Sequence, residues 1–171
     1  MTPPMPPQAN VSAMKPKISL DAIKALRDET GAPVGEVRKA LEDAGGDPAK
    51  ARALLQQRGG EAAAKRQGRA TGQGRVECYV HHDGRLAALV EVNCETDFVA
   101  RTDDFKQFCR DVAMHVAAMD PEGSVQALMA QPFVRDQGTT VGDLLKTLVG
   151  KTGENVVIRR FARFAVGEAV S

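Results

Sequence analysis

Three histidines and three cysteines are the residues of this 171-residue chain best suited to nucleophilic, acid–base or metal chemistry. His81 and His82 stand beside Asp83 at a predicted hairpin tip, where neighbouring histidines are usually solvated. His115 lies one position off an apolar helical stripe, the place of a packing residue. Cys78, Cys94 and Cys109 are odd in number and fit no C-x-x-C spacing, and neither an H-x-x-x-H pair nor a nucleophile elbow occurs. No G-x-x-x-x-G-K-S/T or G-x-G-x-x-G run offers backbone donors to a phosphate. The residues argue against an enzyme, and no cofactor is called for. What stands out is Glu91–Arg101 (EVNCETDFVAR). A predicted strand ends at Asn93 and Thr102 caps the next helix, so Thr96, Asp97, Phe98 and Val99 fall on the loop between them. Phe98 lies outside the helical stripe of Phe105 and Phe108. It serves either as a staple packing the loop onto that helix or as an anchor for a partner, and composition alone favours the staple.

The elements around this loop follow from caps and periodicity. Ser19 caps a helix with Ile23 and Leu26 on its apolar face, and Thr30-Gly31 ends it. Pro33 suits the first turn of a second helix, where Val34, Val37, Leu41 and Ala44 recur before Gly45-Gly46. Asp47-Pro48 starts a third, with Ala51, Leu54 and Leu55 inward, expected to stop at Gly59-Gly60. Residues 61–74 read as a short helix running into a basic connector. Arg75–His82 and Arg85–Asn93 form a predicted hairpin about Asp83-Gly84. Leu86–Val92 is nearly continuously apolar, which predicts a strand covered on both faces. Thr102 caps a helix striped by Phe105, Phe108, Val112, Val116 and Met119, which Pro121-Glu-Gly breaks. A short helix over Ser124–Ala130, a short strand over Pro132–Val134 and a helix capped by Thr140 follow. The chain closes on a strand over Asn155–Val166, whose edge is a pairing surface for a second copy.

Charge divides the chain more than its net +1 suggests. Residues 18–58 are neutral, 59–75 carry +3 and 76–120 carry −5. The acidic middle argues against a nucleic-acid coat, and the basic connector has no interleaved aromatic residue to stack on bases. No direct nucleic-acid binding is expected. No apolar run approaches the ~20 residues of a membrane helix. The first residues lack the apolar core of a secretory signal, and unpaired cysteines suit a reducing compartment, so a cytoplasmic protein is expected. Five prolines in the first 16 residues predict a disordered tail over 1–17, and Met14 is an alternative start.

Three stretches resemble the translation elongation factor Ts family, the exchange factors of elongation factor Tu. Glu91–Arg101 is similar to the family's most specific run, centred on Thr-Asp-Phe-Val. Thr30-Gly31-Ala32, Lys39-Ala-Leu, Gly46-Asp47 and Ala53-Leu54 follow at its spacing, and Gly153-Glu-Asn-Val-Val-Ile-Arg-Arg160 completes it. The likeness runs from about residue 18 to 168 in the family's order. Two departures stand against it. Pro33-Val34-Gly35-Glu36 replaces the usual Gly-Met-Met-Asp, which weakens or shifts the contact expected there. Asp120–Gln131 is far shorter than in relatives, which place further helices or a second core subdomain here.

The resemblance implies an α+β fold: a three-helix UBA-like docking domain over 18–58, a basic linker over 59–75, and a core over 76–168 with an antiparallel sheet packed against helices. It implies a guanine-nucleotide exchange factor. The bundle would dock on elongation factor Tu through Leu26, Arg27, Ala32, Pro33 and Val34. The loop Thr96–Val99 would enter at the far side of the nucleotide pocket, Phe98 wedging between partner helices and Asp97 helping to dislodge the magnesium ion. Single-subdomain members tend to dimerise through their sheets. That makes Val157, Arg159, Phe161 and Arg163 the candidate dimer strand and a homodimer the expected state. Two rival readings remain: a UBA-like protein-binding module in which residues 18–58 suffice, and an RNA-associated protein using Lys65, Arg66, Arg69 and Arg75.

Overall fold

Ser19 opens the first helix as its spacing predicts: its side chain accepts the Ala22 N–H at the start of α1 (Leu20–Thr30), and Gly31, at φ 64°, ends it. The structure, a computed structural model, describes residues 18–168; the tail expected over 1–17 lies outside the described residues. After α2 (Val34–Asp43), Asp47 takes the N–H groups of Ala49 and Lys50 and starts α3 (Pro48–Arg66). A hairpin of β1 (Gln73–Val80) and β2 (Leu86–Cys94) leads into the single turn α4 (Asp97–Ala100) and the long α5 (Asp103–Met119). Then come α6 (Val125–Ala130), the small ladder of β3 (Pro132–Phe133) with β4 (Asp136–Thr140), α7 (Val141–Thr152) and β5 (Val156–Ala165). Ser124, Thr102 and Thr140 act as N-caps, and Thr140 with Asp143 completes a capping box. The fold is α+β, with an antiparallel sheet in the order β1-β2-β5.

Two apolar clusters hold it. Leu26, Val37, Ala40, Leu41, Ala51 and Leu55 close the three-helix bundle. The larger cluster joins Ala88, Val90, Val92 and Cys94 of β2 to Phe105, Phe108, Val112 and Val116 of α5 and to Leu148 and Val149 of α7. Helix α3 reaches both, with Leu55 in the first and Ala63 packed on the second. It does so because it does not stop at Gly59-Gly60, contrary to the sequence expectation: it runs 19 residues, through both glycines. A glycine inside a helix costs about 1 kcal/mol relative to alanine, and packing of α3 along α7 offsets it. Of the expected linker, residues 59–66 are thus helical and 73–75 already belong to β1. A Cβ on Gly60 would meet nothing within 4 Å. Gly60→Ala should therefore raise stability by about 0.5–1 kcal/mol, read as a higher denaturant midpoint at unchanged slope; an unchanged or lower midpoint would show the helix broken there.

The sheet departs from expectation in two further ways. The connection from β1 to β2 is not a two-residue turn at Asp83-Gly84: the His81 N–H donates to the Leu86 carbonyl, leaving His82–Arg85 as the loop. Among the described residues, strand β2 is covered on one face only. Ala88, Val90, Val92 and Cys94 are buried under the helices, whereas Leu89 is 44% exposed on the other face. Register places Val80, Ala87 and Phe164 side by side on that open face, then Cys78, Leu89 and Ala162, then Val76, Glu91 and Arg160. Val76, Val80 and Phe164 are each more than 60% exposed. The apolar run of β2 thus leaves Leu89 on a face that the described residues do not cover. At the ladder's far end Gly74 lies so close to β2 that a Cβ would meet the Val92 carbonyl oxygen at 2.3 Å, so only glycine fits.

Candidate functional site

Strand β2 ends at buried Cys94, and the next six residues form a turn braced from below. Thr96 is the N-cap of α4: its hydroxyl oxygen accepts the Val99 N–H at 3.4 Å. The same hydroxyl donates to Glu154 Oε1 at 2.5 Å, and the Thr96 N–H donates to Glu154 Oε2 at 3.0 Å. The Cys94 thiol donates to the Thr96 carbonyl at 3.1 Å. Burial, with the Glu154 charge adding to it, pushes that thiol up to about 11, so it remains protonated at neutral pH. At the other end Thr102 donates to the Val99 carbonyl at 2.8 Å and caps α5.

Between these braces the four expected site residues divide. Val99 is only 9% exposed and anchors the turn in the core. Thr96 is half-buried and committed to Glu154. Asp97 is half-buried and paired with Arg101 at 2.9 Å in an ion pair open to water. Phe98 is 78% exposed. It is not the staple that composition favoured; Val99, one residue on, performs that task and leaves Phe98 free. A helical turn sends adjacent side chains about 100° apart, so anchoring one presents the other.

The expected docking residues divide too. Leu26 is buried within the bundle and maintains it, whereas Ala32 packs on its core while staying half-buried. Arg27, Pro33 and Val34 are exposed. Sequence reasoning missed Leu20, which is 83% exposed directly after its cap. An apolar residue at the outer face of a first turn was the available signal. The bundle meets the core where Lys151 of α7 lies across Gly31: a Cβ there would fall 1.8 Å from the lysine Cε.

Along the candidate dimer strand, Val157 falls on the open face, opposite Asn93, and Arg159 is exposed. The register shifts between Glu91 and Val92, leaving Arg159 unpaired as a bulge. Beyond it the alternation inverts, so Phe161 and Arg163 sit over Val90 and Ala88 on the helix-covered face. Phe161 packs on the core, and Arg163 donates to the Ala117 carbonyl at 3.0 Å. The open face of β5 carries Arg160, Ala162 and Phe164 instead.

Among the described residues no group of three or more His, Cys, Asp or Glu is placed to hold a metal, and no helix is long and apolar enough to cross a membrane. His115 is fully buried; its Nδ1 accepts the Val134 N–H at 3.2 Å and Nε2 bonds Gln131 Oε1 at 2.9 Å. The pair fixes a neutral ring with the proton on Nε2. Burial lowers its pKa below the ordinary 6.5. The unfolded chain therefore takes up this proton first on acidification, and stability should fall as pH drops below about 6.5. In His115→Gln the loss of denaturant midpoint between pH 7.5 and pH 5.5 should be smaller than in the unmodified protein.

The chain is thus an α+β protein with an exposed apolar side chain on a braced turn and further exposed residues on its helical bundle. The sequence model of the family described as Elongation factor TS matches residues 21–123 and again 95–171, and the chain belongs to that family of translation elongation factors. It is 44% identical to Elongation factor Ts of Rubrobacter xylanophilus, over 85% of this chain and 97% of the relative. It is 40% identical to that of Coprothermobacter proteolyticus, over 89% of this chain and all of the relative. These alignments span 189 and 196 positions against 171 residues, so both relatives hold residues that this chain lacks.

Proposed function

We propose that this protein is a cytoplasmic guanine-nucleotide exchange factor of elongation factor Tu. It binds the GDP-bound factor, disturbs the magnesium and phosphate site and promotes GDP release, so that GTP can enter during translation elongation. The observation that carries this reading is Phe98, 78% exposed on a turn whose neighbours Thr96 and Val99 are both pinned. A rigid apolar projection inserts into a partner without first losing conformational freedom. Asp97 beside it is held only by an exposed ion pair, a weak interaction that a partner can displace. The bundle supplies the second contact through Arg27, Pro33, Val34 and the newly exposed Leu20.

No covalent step is involved. A nucleotide held by a phosphate-binding loop depends on backbone donors and a magnesium ion around its phosphates. Moving those groups lowers its affinity. Linkage makes the effect reciprocal, so GDP weakens the exchange factor's hold on its partner by the same factor. The factor speeds exchange in both directions, and the cell's excess of GTP sets the direction. Calorimetry tests this: nucleotide-free elongation factor Tu should bind the protein more tightly than the GDP-bound form, by the factor through which the protein weakens GDP. Equal affinity for the two forms would overturn it.

The open sheet face supports a second part of the proposal, that a second copy of this chain covers it. Val76, Val80, Leu89 and Phe164 lie exposed together on it, and contiguous exposed apolar side chains favour an interface. The relatives' additional residues are absent here, and Glu91 and Arg160 at one margin of the face, bonded at 2.6 Å, offer a copy both signs of charge.

A further inference from the structure

The turn that presents Phe98 is tied to a segment some sixty residues away by a reciprocal exchange of bonds. Glu154 accepts from the N–H and the hydroxyl of Thr96, while the Asn155 N–H donates to Glu95 Oε1 at 2.6 Å. Two consecutive residues from each side thus clasp each other, each giving a carboxylate to the other's backbone amide. A third leg joins them. Asn155, only 6% exposed, donates through Nδ2 to the Arg69 carbonyl at 2.9 Å, and the Arg69 guanidinium stands 3.5 Å from Glu95. Arg69 lies three residues beyond the end of α3, the helix that begins in the bundle. Gly153, at φ 73°, ends α7 and turns the chain so that Glu154 and Asn155 face the loop.

A four-residue helix has too few internal bonds to hold its own direction. Val99 fixes how deep α4 sits, and Thr96, its cap, fixes which way it points. Thr96 in turn is held by Glu154, through two donors on one carboxylate. We propose that Glu154 is a positioning residue for exchange: it acts through Thr96 to aim Phe98, and the Glu95–Asn155–Arg69 leg sets that aim relative to the docking bundle. The inference rests on the exchange function proposed above. The clasp explains why one chain can present two contact surfaces at a fixed spacing although they belong to separate apolar clusters.

The test is a double-mutant cycle on the stimulated release of labelled GDP from elongation factor Tu, with concentration of the protein varied so that maximal rate and half-saturation separate. Glu154→Ala should lower the maximal rate by about tenfold or more, since a misplaced group costs up to about a hundredfold, and change half-saturation less. In the background of Phe98→Ala, Glu154→Ala should slow release by no more than about twofold, because residues acting through one another are not additive. Full additivity of the two losses, or an unchanged maximal rate in Glu154→Ala, would overturn the positioning role. Should Glu154→Ala melt below the assay temperature, Glu154→Gln, which keeps one acceptor oxygen, takes its place in the same cycle with the same criterion. Failure of the unmodified protein to speed release would instead remove the exchange function itself.

Discussion

Phe98→Ala should fold like the unmodified protein and yet lose about ten- to a hundredfold of its stimulation of GDP release. The first half follows from exposure. Phe98 contributes little to either apolar cluster, and surface substitutions of this kind change stability by roughly 0.5 kcal/mol or less. The second half follows from burial on binding. A phenylalanine taken fully out of water contributes about 1.5–3 kcal/mol, which is a factor of about ten to a hundred in an equilibrium. Val99→Ala should differ in stability. Its side chain is 9% exposed and seats α4, so the variant should melt earlier as well as exchange more slowly. Thermal melts beside release rates distinguish the two, and a Phe98→Ala protein with undiminished stimulation would refute the wedge.

Leu89→Glu should convert a dimer to a monomer. Leu89 occupies the middle of the central strand on the uncovered face, flanked by Cys78 and Ala162. When two such faces meet, sheets pack about 10 Å apart, and a carboxylate at the centre would be desolvated without a partner, at a cost of several kcal/mol. The folded monomer keeps that position 44% exposed to water, so the variant should still fold. Sedimentation equilibrium at micromolar concentration should give twice the chain mass for the unmodified protein and the chain mass for Leu89→Glu. A monomeric unmodified protein would remove the dimer. Arg163→Ala, by contrast, should leave the mass unchanged, because Arg163 serves Ala117 on the helix side.

Local signals carried the helix starts. Ser19, Asp47, Thr102, Ser124 and Thr140 all cap the helices that their spacing predicted. Signals that depend on distant contacts did not read out. Gly59-Gly60 looks like a stop because local propensity weighs both glycines, whereas packing on α7, far along the chain, decides. Which residues of β5 share a face is set by one bulge at Arg159 that inverts the alternation, and nothing in the apolar pattern reports an unpaired residue. At the site, Phe98 and its neighbours were identifiable as a group from the run Glu91–Arg101, but not their division of labour. Which of two adjacent apolar residues packs inward depends on how the turn is capped, and the cap is held by Glu154. Glu154 lies 58 residues from Thr96 and joins it only when β2 and β5 are side by side.

The most direct measurement is the release of labelled GDP from elongation factor Tu as this protein is added. Release should accelerate with its concentration and saturate, and excess unlabelled GDP should drive the protein off its partner. A release rate that does not change across that titration would contradict the exchange function.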